Sequence, residues 1–263
     1  MRCRPVTIGP NTIDVWRWPL DMVVDDLPRH VAALSDAEFA RASRFVRERD
    51  RLRYVAGRGG LREIISRYLG VSARRLAFSY NAFGKPRLAV SEPPLHFNLS
   101  HSGGVAVLAV SDRYDVGIDI EKIVPLKEDI AGIFFSPAER RQLRALPPGS
   151  YTEAFYRCWT RKEAFVKAHG AGLSLPLDAF DVSVDPAEPV LLRLEGDTDA
   201  PRQWRLLNLD TPPGFVGAVA ALTAGNAITL RYRSIEEEVS GGVLPLAAAR
   251  ALQRQLVSRA SRM

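Results

Sequence analysis

The sequence predicts an α+β fold of two similar α/β halves related by a pseudo-two-fold, with helices packed on mostly antiparallel sheets. Three observations predict it. Two long stretches, 49–69 and 151–169, carry apolar residues at helical spacing and stop at a glycine. Short apolar runs bounded by turn residues fill most of the remaining chain and read as strands. A helix pair followed by strands occurs twice, over about 35–115 and 130–222, as a repeat of pattern rather than of residue identity. Helices set against antiparallel strands define the α+β class.

In chain order, a strand is expected within 6–18, where Val6, Ile8, Ile13 and Val15 alternate loosely beside Trp16 and Trp18. Leu34-Ser35-Asp36-Ala37-Glu38 has the form of a helix start, with Ser35 as N-cap and Glu38 at the third helical position. That helix should run to about Phe45. The next, about Arg49–Leu69, places Leu52, Val55, Ala56, Gly59, Leu61, Ile64, Ile65 and Leu69 on one stripe and ends at Gly70. Residues 76–98 read as short strands and turns, with Gly84 and Pro86 shaping one turn. Leu99–Gly104 reads as a polar loop, and Val105–Val110 as an apolar strand that pairs in a hairpin with 116–121. A helix is expected over about Ile130–Leu146, marked by Ser136, Pro137 and Glu139. Tyr151–His169 is the strongest helix. Short antiparallel strands follow within 176–184, 190–194, 204–209, 216–222 and 228–232. Ser240-Gly241-Gly242 reads as a linker and Leu244–Ser258 as an amphipathic basic helix. The expected division is 1–115, 116–239 and 240–263.

Composition narrows the function classes. At 263 residues and 46% hydrophobic content, a sizeable core is available. The net charge of +6 suits an anionic partner such as a phosphorylated cofactor, an acidic protein surface or nucleic acid. Two cysteines, Cys3 and Cys158, make no disulfide framework and suit a reducing compartment. No apolar run approaches the length of a membrane span, and the N-terminus lacks the order of a signal peptide. A cytoplasmic protein without a membrane role is expected.

The informative stretch is Val116-Gly117-Ile118-Asp119-Ile120-Glu121. In a strand, its three apolar side chains share one face, and Asp119 and Glu121 share the other. Two neighbouring carboxylates repel unless a cation or a proton intervenes, and oxygen donors suit a hard ion such as Mg2+. The alternative is an edge strand with a solvated acidic face. On the helix from Tyr151, Trp159, Glu163 and Lys167 share one face by their i, i+4 spacing. They read either as a surface ion pair or as a third carboxylate, Glu163, aimed at the same cation with Lys162 and Lys167 beside phosphate oxygens. Ser100-His101 suits a phosphate contact better than a catalytic pair, because sequence neighbours rarely form one and no oxyanion motif follows.

Taken together, His96-Phe97-Asn98-Leu99-Ser100-His101-Ser102, Gly117-Ile118-Asp119-Ile120-Glu121 and Trp159-Thr160-Arg161-Lys162-Glu163-Ala164-Phe165-Val166-Lys167 resemble the signature blocks of the 4′-phosphopantetheinyl transferases. Their order and spacing are similar to the large, pseudo-dimeric type that activates peptide and polyketide synthetases. Gly84-Lys85-Pro86 and Gly170–Leu177 resemble its flanking motifs, and the match runs from about 35 to 222.

The resemblance implies that coenzyme A donates its phosphopantetheine arm to a serine of an apo acyl or peptidyl carrier protein, releasing adenosine 3′,5′-bisphosphate. It implies Asp119, Glu121 and Glu163 as ligands of Mg2+, with Mn2+ as an alternative ion. Glu163, Lys167 and His101 are implied at the catalytic centre. Arg41, Arg53, Arg58, Lys85, Pro86, Ser100, His101, Lys162 and Lys167 are implied around the bound nucleotide and phosphates. The nucleotide would lie on the 1–115 side, the metal ligands and carrier surface on the 116–239 side. Ile133-Phe134-Phe135 falls in the segment of the family's carrier-binding surface; Phe134 and Phe135 also suit a core. Glu38 departs from the pattern, since relatives often carry a basic phosphate contact there, so that one anchor is either missing or replaced by a neighbouring arginine. Residues 1–34 match weakly, and 225–263 have no counterpart.

Two other readings compete. A catalytically silent coenzyme A or carrier-binding module would be favoured by loss of a carboxylate, and all three are present. A nucleic-acid-binding protein would show aromatics within a basic patch or a helix-turn-helix, and neither is evident. The duplication favours a monomer.

Overall fold

The computed structural model describes residues 6–21, 26–90, 94–126 and 130–235. Cys3, the expected linker at 240–242 and the expected helix at 244–258 lie outside the described residues. The elements are β1 (Thr12–Pro19), α1 (Leu27–Ala33), α2 (Asp36–Ala42), α3 (Glu48–Leu69), β2 (Phe78–Tyr80), β3 (Pro86–Leu88), β4 (His96–Ser102), β5 (Val105–Ser111), β6 (Val116–Lys122), α4 (Ile130–Phe134), α5 (Pro137–Arg144), α6 (Tyr151–His169), β7 (Phe180–Val182), β8 (Leu191–Leu194), α7 (Ala200–Gln203), β9 (Trp204–Asn208), β10 (Phe215–Leu222) and β11 (Thr229–Ser234).

These form two sheet halves of an α+β protein. One sheet has the order β11-β1-β5-β4 and the other β6-β10-β9, beside the small pairs β2-β3 and β7-β8. The period of two in the strands sorts the core into layers. Trp16, Trp18, Leu108 and Val110 face α3, where Leu61, Ile64 and Ile65 meet them. Ile13, Val15, Val107 and Ala109 face the other way, against Val116, Ile118, Ile120 and Val219 of the second sheet. The far face of that sheet carries Ala218 and Ala220 against Phe155 and Phe165 of α6. The order is therefore helix, sheet, sheet, helix, with an apolar layer between the sheets.

Helix ends follow the local chemistry. Ser35 and Glu38 form a reciprocal capping box on α2, as Ser136 and Glu139 do on α5. Gly70 and Gly170 end α3 and α6 in the left-handed conformation. The helix expected over 130–146 is two helices, because Ser136 takes an extended N-cap conformation and Pro137 starts afresh. Helix α1 was not legible as a helix; Pro28 opens it, and His30, Val31 and Ala33 are buried.

Three strand expectations are corrected. The 105–110 and 116–121 strands do not pair. β5 lies between β1 and β4, and β6 pairs with β10 in the other sheet. A central strand is buried on both faces, which is why Val105–Ser111 is almost uniformly apolar. Ser100-His101-Ser102 is not a loop but the end of β4, in register with Val105–Val107. β11, expected among the antiparallel strands, runs parallel to β1 at the edge of the sheet that holds β5 and β4. Asp14, fully buried, holds it there through Arg231 and Arg233.

The sheets meet at a seam. β4 and β6 share no backbone ladder; alternate β4 side chains join them. Asn98 Oδ1 accepts from the Ile118 N–H at 2.9 Å. The Ser100 hydroxyl donates to Asp119, and the Ser102 hydroxyl donates to Glu121 and accepts from the Lys122 N–H.

On the other side of β6, Gly117 lets α6 come close. A Cβ there would stand 2.1 Å from the Ala164 carbonyl oxygen and 2.3 Å from the Ala168 nitrogen. Those contacts are with helix backbone, so no rotamer change relieves them. Gly117→Ala should cost about 1–3 kcal/mol, the usual range for overpacking. Urea denaturation checks this; an unchanged midpoint would contradict the close approach.

Candidate active site

The close approach at Gly117 sets two polar faces against each other. Asp119 and Glu121 project from β6 on the face opposite Ile118 and Ile120, and Glu163 and Lys167 lie one helical turn apart on α6. Asp119 is 3% exposed. Lys167 Nζ donates to Asp119 Oδ1 at 2.6 Å and to Ser100 Oγ at 3.1 Å. Ser100 Oγ donates to the same carboxylate oxygen at 2.8 Å. Asp119 Oδ2 is buried without a hydrogen-bond partner.

Three carboxylates thus face one ammonium. Burial raises the pKa of Asp119, Glu121 and Glu163. Lys167 opposes this for each. Asp119 pushes Glu121 up further, and both push Glu163 up. Three acids raised by burial, two of them also by like charge, with one ammonium opposing, mark a site short of positive charge. All-oxygen donors and an orphaned buried carboxylate oxygen fit a hard divalent cation. Among the described residues, no group of three such side chains converges as a ready metal site. Lys167 holds one Asp119 oxygen and Ser102 one Glu121 oxygen, so binding one ion needs a side-chain rearrangement.

Two cavities flank this cluster. One, of about 450 Å³, is lined by Arg41, Arg53, Arg58, Tyr54, Tyr80 and His101. Arg53 makes a bidentate pair with Asp21, both contacts 2.7 Å, in a space that a side chain at Gly104 would fill. Arg58 reaches Glu38 at 2.6 Å, and Arg41 lies 5.5 Å over the Tyr54 ring. Glu38 does not face the cavity as a lone acid. It caps Ser35 and pairs with both Arg58 and Arg62.

The other cavity, of about 720 Å³, is a mainly apolar trough that includes Phe134, Trp159, Val166, Leu175 and Leu177, with Glu163 and Lys167 on its wall. At this trough, Ile133 and Phe134 are 69% and 41% exposed, whereas Phe135 is buried against Phe155. Gly84 and Pro86 line both cavities. Lys85 lines the trough, with its ammonium donating to the carbonyls of Val116 and Ala168 at 3.2 Å each. Burial pushes its pKa down to about 8.

The structure therefore brings Asp119, Glu121, Glu163, Lys167 and Ser100 together, with His101, Arg41, Arg53, Arg58 and Pro86 along the adjoining cavity. It does not bring Lys162. That ammonium is fully buried and pairs with Glu139 at 2.7 Å. It also donates to the carbonyls of Leu177 and Phe180. One residue along a helix is about 100° of rotation, so a neighbour of Glu163 faces the core. Ser102 and Asn98 were missed as site-forming residues. Their period-two spacing with Ser100 was the available signal.

Residues 115–222 match the model of the 4′-phosphopantetheinyl transferase superfamily, and residues 22–113 match that of the N-terminal part of 4′-phosphopantetheinyl transferase. The chain is 39% identical over 224 residues to 4′-phosphopantetheinyl transferase HetI of Nostoc sp., covering 84% of this chain and 92% of that one. It is 36% identical to 4′-phosphopantetheinyl transferase Sfp of Bacillus subtilis, covering 73% and 84%. It is 32% identical to the human L-aminoadipate-semialdehyde dehydrogenase-phosphopantetheinyl transferase, covering 59% and 54%. The chain belongs to the 4′-phosphopantetheinyl transferase superfamily and is an enzyme of that class. Within it, the two sheet halves and these relatives place it in the large, Sfp-like type. Among the described residues, no helix is long and apolar enough to cross a membrane.

The placement of Lys162 is testable. Removing one partner of a buried ion pair leaves the other charge stranded. Lys162→Ala should lower stability by about 3–5 kcal/mol, measured by denaturant unfolding. A variant of native stability with a raised KM for coenzyme A would return Lys162 to the phosphate site.

Proposed function

We propose that this enzyme transfers the 4′-phosphopantetheine arm of coenzyme A to a serine of apo acyl or peptidyl carrier proteins, in an Mg2+-dependent reaction that releases adenosine 3′,5′-bisphosphate. One observation carries the proposal: a cluster of three carboxylates and a lysine stands between an arginine-lined cavity and an apolar trough. A molecule with a phosphorylated nucleotide at one end, a diphosphate in the middle and a long neutral arm at the other matches that order of surfaces.

In this reading, Arg41 and Arg53 hold the 3′-phosphate, because a planar guanidinium suits a phosphate. Arg53 then exchanges Asp21 for the ligand, and Arg58 contributes from beside Glu38. Pro86 and Gly84 shape the floor between the cavities. His101, Ser100 and Lys167 meet the diphosphate. Asp119, Glu121 and Glu163 would hold the Mg2+ ion, which when bound neutralises charge building on the leaving diphosphate.

Glu163, its pKa raised by burial and by its acidic neighbours, is suited to take the proton of the carrier serine. The serine oxygen bonds to the β-phosphorus, and the bond from that phosphorus to the bridging oxygen breaks. The nucleotide bisphosphate leaves with the electron pair. The exposed Ile133 and Phe134 offer the carrier an apolar contact beside the trough, and the net charge of +6 suits an acidic partner. The division into a nucleotide-side half, 1–115, and a carrier-side half, 116–239, acting as one monomer, belongs to the same proposal.

The test is a mass measurement. Incubation with coenzyme A and a panel of apo-carrier domains from peptide, polyketide and fatty-acid synthetases should add the arm to at least one. A chelator should stop the reaction and Mg2+ or Mn2+ restore it. Glu163→Ala should leave a folded protein with turnover lowered at least about 100-fold, the lower end for loss of a general base. Activity of that variant near the wild-type rate would remove Glu163 from the chemistry.

A further inference from the structure

The turn between β2 and β3 belongs to the first half of the chain, yet it is tied to the helix of the second. Asn81 makes the tie. Its Oδ1 accepts from the N–H groups of Phe83 at 3.0 Å and Lys85 at 2.8 Å, which builds the turn. Its Nδ2 donates to the Gly170 carbonyl at 2.9 Å. Gly170 is the left-handed cap of α6, three residues beyond Lys167. Two further bonds, from Lys85 Nζ to Ala168 and Val116, fasten the same turn to α6 and β6. Gly84 and Pro86, on either side of Lys85, line both cavities.

We infer that Asn81 is a positioning residue that sets the spacing between the arginine-lined cavity and the helix carrying Glu163 and Lys167. The inference rests on the transferase reading, in which one ligand spans both cavities. A ligand held at two places binds well only if their separation is kept, because any mismatch is charged against its binding. A ligand confined to one cavity is indifferent to that separation. Asn81 does not touch the ligand; it acts through the turn.

The amide and the carbonyl of Asn81 can be tested apart. Asn81→Asp keeps an acceptor for Phe83 and Lys85, so the turn survives, but it cannot donate to Gly170. Calorimetric affinities for coenzyme A and for adenosine 3′-monophosphate, which reaches only the arginine-lined cavity, give the readout. Coenzyme A should bind the variant about fivefold more weakly, the factor one ordinary hydrogen bond supplies. Adenosine 3′-monophosphate should bind both proteins alike. The KM for coenzyme A should rise with kcat and the carrier KM little changed. A purely structural role would lower the melting temperature and the active fraction and leave the ratio of the two affinities alone. An unchanged ratio overturns the inference. If Asn81→Asp does not fold, Asn81→Ser, whose hydroxyl can still accept within the turn, is read by the same ratio. Failure of the wild-type protein to bind coenzyme A would instead overturn the transferase reading.

Discussion

The backbone contact between β6 and α6 at Gly117 is the constraint on which the site depends. A strand and a helix normally stand apart by the thickness of their side chains. Here the strand offers no side chain at the crossing, and the helix backbone fills the space. Only at that separation does a carboxylate on the strand meet an ammonium on the helix at 2.6 Å. The cost is a set of carboxylates taken out of water, visible in pKa values raised by burial for all three acids and further by like charge for Glu121 and Glu163. Such a set is unfavourable for folding and useful for function. It is held together by apolar layers on either side and by the Asn98, Ser100 and Ser102 seam.

That seam also joins the two sheets. Its bonds run from side chains of one sheet to backbone and carboxylates of the other, so the sheets are in register without sharing a ladder. The β2–β3 turn makes a second link, at the far end of α6. Both links border both cavities: Asn98 lines the trough and Leu99 and His101 the arginine-lined cavity, while Gly84 and Pro86 line both. In the proposed reading, a long ligand would lie along one line, from guanidinium groups through charged oxygens to aromatic and aliphatic walls.

Much of this was legible in the sequence. The alternation in Val116–Glu121 announced a strand with acids on one face, because a period of two leaves no choice of side once the apolar residues are buried. The ends of α3 and α6 were legible because glycine alone suits their caps. That Glu163 and Lys167 share one face of α6 was legible from their spacing. Lys162 was not legible, because adjacency in sequence is not adjacency in space on a helix, and it points to Glu139 in the core. The pairing of β5 and β6 was misread for a different reason. Hairpins are the commonest local solution, and nothing within a dozen residues reveals that each strand has a better partner far along the chain. The parallel return of β11 to β1, fixed by Asp14, is of the same long-range kind. Nothing near Asn81 in the sequence signals its bond to the Gly170 carbonyl, 89 residues further on.

The central claim is that β6 and α6 together clamp one divalent cation over a diphosphate. Anomalous diffraction from crystals grown with Mn2+ and coenzyme A tests it directly. One strong peak should lie within about 2.3 Å of Asp119 Oδ2 and of an oxygen of Glu163, close to the ordinary distance for such an ion, with Lys167 moved from the carboxylate to the phosphate. A peak elsewhere, or none with Lys167 still bound to Asp119 beside an ordered diphosphate, would contradict it.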